Sequence, residues 1–223
     1  QTAITIGFRV PENILDSLDK LRAVVWTWLH LGSIGRRSRR GYGSLLWEPQ
    51  PGDLLDGFVV FNPQSDLATP SALENYLSQG LARVQSIWGA PDNSPRSTFP
   101  DQFQLASIDQ IFVGQQLIDA NGNVLTSIDD SPGGIMEIIH GLNENANGQR
   151  EELGHAGRAP WRPSTPRQAS PMLWRLFPLA GGGYVPVMTW SPLRTTNIPP
   201  GTDVWNYLNG KLGFQNSLAG NSL

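Results

Sequence analysis

Apolar and polar positions alternate at the start of the chain, where Ile4, Ile6, Phe8 and Val10 are interleaved with Thr5, Gly7 and Arg9. That period of two predicts a β-strand with one buried face. Pro11 suits the first turn of a helix, and Leu15, Leu18, Leu21, Val25, Trp28 and Leu29 then recur at three- and four-residue steps. The spacing predicts a helix from Pro11 to His30 that lays this stripe on the strand, leaving Trp26 off the stripe and able to face a partner. Gly32 should end the helix, and Leu45-Leu46-Trp47 should begin the next strand before Pro49 and Pro51 stop it.

Farther on, Phe58 to Phe61 has the makings of a short strand, and Ser71-Ala72-Leu73-Glu74 has the spacing of a capping box. A helix through Trp88 follows, with Leu73, Tyr76, Leu77, Leu81, Val84 and Trp88 on its inner face. Residues 89–101 form an exposed loop, Phe103 to Val113 an extended segment, and Asn121-Gly122-Asn123 a tight turn. Ser131-Pro132 opens a short helix carrying Ile135, Met136, Ile138 and Ile139, and residues 143–168 form a long loop. Met172 to Pro178 and Tyr184 to Trp190 are apolar runs joined by Ala180-Gly181-Gly182-Gly183, a hairpin signature, and Thr202 caps a last helix from Asp203 to Lys211. The sum is an α+β domain with an antiparallel sheet and helices on one face.

Composition limits what such a domain can be. With 39% hydrophobic residues in 223 the chain can bury a core, and 24 glycines and 18 prolines imply long connections. There is no cysteine, so disulfides and thiolate metal sites are excluded, and a reducing cytoplasm is the expected location. No apolar run approaches the roughly 20 residues needed to span a bilayer, so no membrane partner is expected.

A net charge of −3 argues, taken alone, against nucleic acid. Its distribution argues otherwise. Residues 21–47 hold Arg22, Arg36, Arg37, Arg39 and Arg40 without an acid, and residues 153–202 hold Arg158, Arg162, Arg167, Arg175 and Arg194 without an acid. Of the 16 basic residues 14 are arginine, which favours bidentate phosphate contacts, although a biased genome composition yields the same ratio.

The chemistry concentrates in Gly32-Ser33-Ile34-Gly35-Arg36-Arg37-Ser38-Arg39-Arg40-Gly41-Tyr42-Gly43-Ser44, where four arginines stand between two pairs of glycines. Glycines let the backbone approach a ligand closely, so N–H groups can face phosphate oxygens while arginine forks take others and Tyr42 offers a face to a base. A P-loop would need Gly-Lys-Ser/Thr and a dinucleotide fingerprint a third glycine, and neither is present. A basic surface loop without a ligand and an import-like cluster remain as alternatives. The 143–168 loop, with Arg150, His155, Arg158, Trp161, Arg162 and Arg167, reads either as a plain surface loop or as a finger that orders on RNA or on a neighbouring subunit.

From Trp26 to Leu45 the sequence resembles the glycine-rich loop of the RAMP superfamily of CRISPR proteins. The closest likeness is to the family of the first-numbered Cmr subunit of type III-B effectors, with Ser33 where a second glycine is usual. A second likeness is Arg167-Gln168-Ala169-Ser170-Pro171-Met172-Leu173-Trp174-Arg175, similar to the Arg-x-Ala-Ser-Pro-apolar segment that begins a late strand in these proteins. The resemblance implies a ferredoxin-like (RRM-like) RAMP domain. Residues 1–60 would supply its strand, helix, Gly/Arg loop and strand, and residues 61–223 an α+β region completing the same domain or a second one. Family members precede this region with another strand-helix-strand half, so the expectation is the C-terminal part of a longer protein or a shortened or split member.

The implied role is a non-catalytic subunit that binds CRISPR guide or target RNA beside other Cmr and RAMP subunits, without a cofactor. RNA contacts are expected from Gly32, Gly35, Arg36, Arg37, Arg39, Arg40, Gly41, Tyr42, Gly43 and Ser44, with Arg158, Arg162 and Arg167 added from the later loop. Two alternatives stand beside it: an endoribonuclease of the same superfamily, with His30 as general acid or base, and a subunit acting in assembly alone. His30, His140 and His155 lack metal-ligand spacing, and Asp129-Asp130 and Glu151-Glu152 are explained by helix N-terminal charge and a solvated loop.

Overall fold

A computed structural model describes residues 5–9, 11, 17–34, 44–88, 110–119, 121–126 and 172–190. Among the described residues helix α1 spans Leu18–Leu31, a single-turn α2 spans Pro63–Asp66 and α3 spans Pro70–Trp88, with strands β1 (Gln110–Val113), β2 (Met172–Pro178) and β3 (Tyr184–Trp190). The architecture is α+β, with an antiparallel three-stranded sheet in the order β1-β3-β2. No helix among the described residues is long and apolar enough to cross a membrane.

The β2–β3 hairpin forms where the two apolar runs flank the glycine tip, pairing Met172 with Trp190 through Pro178 with Tyr184. Gly182 and Gly183 take φ of +94° and +80°, which a residue with a Cβ adopts only under strain. The Asn121-Gly122-Asn123 turn also forms as expected: Ile118 bridges Val124, and the Asp119 carboxylate accepts the backbone N–H groups of Asn121 and Asn123. These bonds hold the exposed Asp119 carboxyl below its ordinary pKa, the Asn123 contacts contributing most.

Helix α3 buries Leu73, Tyr76, Leu77, Leu81 and Val84 as the periodicity predicts, but Trp88 is 55% exposed. Its start also differs from the expected Ser71–Glu74 box. Thr69 caps the helix, its Oγ1 accepting the Ala72 N–H at 3.1 Å, with Pro70 in the first turn.

The larger departures lie near the N-terminus. Among the described residues, 5–9 are exposed and pair with no strand, although they alternate as a buried strand should. Alternation creates a face suited to burial, and a strand forms only where a sheet edge receives it. Leu45 to Trp47 and Phe58 to Phe61 are not strands either. The first stretch is irregular, with Leu46 and Trp47 packed on the core, while residues 51–59 run through turns that bury Phe58 and, beyond them, Phe61. Asp53 organises that region by accepting the Gln50 N–H at 2.7 Å and the Trp47 Nε1–H at 3.3 Å.

Helix α1 begins at Leu18, Pro11 being exposed outside it, and buries Ala23, Val25, Trp26, His30 and Leu31. Its inner face is therefore rotated from the predicted stripe. Trp26, expected to look toward a partner, is fully buried. Gly80 of α3 explains the rotation, because a Cβ there would sit 1.8 Å from Cζ2 of Trp26; only glycine leaves room for the indole. One hydrophobic cluster joins these helices to the sheet face bearing Ile111, Val113, Phe177, Val185 and Val187.

The expected helices at 131–139 and 203–211, the 89–101 and 143–168 loops with Trp161, and residues 103–109 lie outside the described residues.

Candidate nucleic-acid interface

Helix α1 ends at its C-cap Gly32, the first residue of the glycine-arginine segment. Gly32 is extended, with φ −91° and ψ −174°, and its N–H closes on the Trp28 carbonyl at 2.9 Å. A side chain would not fit there, since a Cβ on Gly32 would meet the Trp28 oxygen at 2.6 Å and Cδ1 of its indole at 2.8 Å. Gly32 is thus fixed by the helix terminus it stops.

At both ends the segment is tied to β2. Arg175 is only 1% exposed and stands in the row Val113–Val187–Arg175 across the sheet. Its Nη1 donates to the Gly32 carbonyl at 2.6 Å and its Nη2 donates to the Leu45 carbonyl. One planar guanidinium therefore holds the residue before Ser33 and the residue after Ser44. Next to it, the Leu176 N–H donates to Ser44 Oγ at 3.1 Å, closing an edge position of β2 with a side chain instead of another strand.

Taking a guanidinium out of water is costly without compensation. Carbonyl oxygens at the end of α1 supply negative potential, and the Phe177 ring lies 4.9 Å from the Arg175 carbon. Burial pushes the Arg175 pKa down to about 9, which leaves it cationic at neutral pH. Among the described residues its buried Nε has no hydrogen-bond partner.

Beneath this neck lies a closed polar ring inside an aromatic core. The Trp26 carbonyl can only accept, so His30 Nδ1 is the donor at 2.8 Å, and Nε2 must then accept from the Tyr76 hydroxyl at 2.9 Å. Tyr76 in turn accepts from Trp26 Nε1 at 3.1 Å. The His30 and Trp26 rings stack at 4.7 Å, with Phe61 and Trp47 packed edge-on against the imidazole. Burial, aided by the nearby Arg175 charge and opposed by the Trp26 carbonyl, lowers the His30 pKa to about 3. Burial likewise pushes the Tyr76 hydroxyl up. His30 is a neutral interior residue with both nitrogens engaged, which removes the ground for assigning it general acid–base work.

Of the expected RNA-contacting residues, Gly32 and Ser44 lie at the neck. Gly35, Arg36, Arg37, Arg39, Arg40, Gly41, Tyr42, Gly43, Arg158, Arg162 and Arg167 lie outside the described residues. Two arginines counted toward the basic stretches are committed to the fold. Arg22 donates Nε to the Leu54 carbonyl at 2.8 Å and pairs with Asp19 at 3.3 Å, and Arg175 is the clamp. In the sequence Arg175 stands as one cation of the basic stretch 153–202 and as the end of a motif, with no structural role assigned. The available signal was a charge inside the apolar run Met172 to Pro178, where a buried arginine requires carbonyl or acidic partners from elsewhere in the chain.

Among the described residues no group of histidines, aspartates and glutamates could hold a metal. Compared with protein-family models, curated proteins and solved structures, the chain matches none.

Proposed function

We propose that this protein is an RNA-binding subunit of a CRISPR ribonucleoprotein of the RAMP type, acting in the cytoplasm without catalysing a reaction. The segment Gly32 to Ser44 grips guide or target RNA by its phosphates. Arg36, Arg37, Arg39 and Arg40 supply the forks, the glycines let backbone N–H groups approach, and Tyr42 stacks on a base. Arg158, Arg162 and Arg167 extend the same contact, and neighbouring subunits of the complex dock on other faces.

The observation that carries this reading is the clamp at the neck. The buried Arg175 guanidinium holds the Gly32 and Leu45 carbonyls, the two ends of a stretch whose sequence carries four arginines. The order of glycines and arginines supports it by resemblance. Binding is preferred to cleavage because His30, the histidine on which a cleaving enzyme would have relied, is committed inside the core.

The test is a titration of labelled single-stranded RNA by fluorescence anisotropy over a range of salt. Four arginine–phosphate contacts predict a log–log slope contribution of about −2.8, or about a fifty-fold loss of affinity between ~50 and ~200 mM salt. Replacing Arg36, Arg37, Arg39 and Arg40 together by alanine should remove that contribution. An unchanged affinity and slope in the folded variant would refute the reading.

A further inference from the structure

We propose that Trp88, with Lys20 and Arg83 beside it, is a second contact for RNA, a platform on which one base stacks while the two cations hold adjoining phosphates. The inference rests on the RNA-binding reading above and adds a site where α1 begins and α3 ends.

The site arises from the register of the two helices. Gly80 lies against Trp26, Tyr76 against His30, and Arg83 reaches Asp19 at 3.6 Å. The helices therefore run antiparallel, and the last turn of α3 comes level with the first turn of α1. Leu73, Leu77, Leu81 and Val84 on the inner stripe of α3 are buried, whereas Trp88, which continues that spacing at the helix end, is more than half exposed. A single exposed apolar side chain says little. The surroundings of this one give it a ligand.

Lys20 Nζ stands 5.6 Å from the centre of the Trp88 ring, within cation–π range. The Arg83 guanidinium lies 5.9 Å from the Phe58 ring, on a side chain that is 46% exposed. Arg22 adds a third charge, although its Nε is engaged by the Leu54 carbonyl. Asp19 is the carboxylate among them and pairs with both arginines, so three cations against one acid leave a charge of +2. Residues 20–34 and 75–88 contain no acid. Single-stranded RNA matches this surface, since it carries an apolar face on every base and a phosphate at every step. A protein partner anchored on Trp88 matches it less well, because lysine is depleted at protein interfaces.

The experiment uses the full chain with a labelled oligouridylate of about 16 nucleotides and an abasic strand of the same length. Trp88→Ala should weaken oligouridylate binding about tenfold at an unchanged salt slope, because stacking releases no counterion. Trp88→Phe should keep most of the affinity, and the abasic strand should bind wild type and Trp88→Ala alike. Lys20→Gln combined with Arg83→Gln should reduce the slope by about 1.4, from two phosphates at ~0.7 each. Oligouridylate affinity unchanged in Trp88→Ala overturns the platform; if that variant also loses self-association in sedimentation, the face is a protein interface. An equal loss on the abasic strand overturns it as well, by making Trp88 a structural residue. A wild-type protein that binds neither strand refutes the functional reading and this site together. If the variant lacking Arg36, Arg37, Arg39 and Arg40 still binds RNA and Trp88→Ala still weakens it, the reading of that segment fails while this site is supported. Where Trp88→Ala lacks a cooperative melt, the Lys20 and Arg83 double variant takes its place, and an unchanged slope overturns the site.

Discussion

Acid should unfold this protein earlier than its carboxylates require, because of His30. The unfolded chain takes up a proton at this histidine near the ordinary pKa of 6.5, whereas the folded chain resists until about 3. Stability is therefore complete above pH 6.5 and falls as pH drops from there toward 3, since the unfolded state binds the extra proton. Linkage gives a loss of about 2 kcal/mol between ~pH 7 and ~pH 5 from this group alone, approaching ~1.4 kcal/mol per pH unit at the lower end. For a chain of this length the melting temperature should fall by about 4–8 °C over that interval.

The control is His30→Gln, whose amide can donate to one partner and accept from another but does not titrate. Asp119, the carboxylate held low, changes stability only below its unfolded value of 3.8 and does not enter this window. Urea unfolding of both proteins at the two pH values gives the double difference, in which all other titrations cancel. Equal losses in wild type and variant would refute a neutral, buried His30, and so would a wild type more stable at the lower pH.

Two further substitutions test how the helices are placed. Gly80→Ala should lose about 2 kcal/mol in urea unfolding: alanine is favoured over glycine in a helix by about 1 kcal/mol, but overpacking costs up to about 3 kcal/mol, and here it displaces a hydrogen-bonded indole. A variant as stable as the wild type would show that Trp26 does not lie against α3. Thr69→Ala should cost about 1 kcal/mol by removing the acceptor of the Ala72 N–H, while Ser71→Ala should cost less than about half of that; the reverse order would place the helix start at Ser71.

Elements defined by their own residues were legible in the sequence. The β2–β3 hairpin carries its turn glycines, α3 its inner stripe and the Asp119 turn its side-chain ties, so local pattern and tertiary structure agree. Elements defined by a partner were not. Residues 5–9 have the pattern of a strand but no neighbour among the described strands, and Leu45 to Trp47 spends a carbonyl on the Arg175 side chain in place of a ladder. Trp26 looked peripheral because its pocket is made by the absence of a side chain at Gly80, 54 positions away. His30 looked available for chemistry because nothing near it in sequence announces Tyr76.

The site followed the same division. Its composition was visible between Gly32 and Ser44, while its fastening to β2 was not, because the clamp comes from a distant strand and is a single residue in an apolar run. The stretch Arg167 to Arg175 ends at the residue whose guanidinium holds the Gly32 and Leu45 carbonyls.

The central claim concerns where RNA touches this chain, and photo-crosslinking addresses it most directly. Irradiating the protein with bound single-stranded RNA and sequencing the modified peptides should place crosslinks within Gly32 to Ser44, with Tyr42 as the reacting aromatic. Efficient crosslinking confined to other segments, with the 32–44 peptide recovered unmodified, would contradict the account.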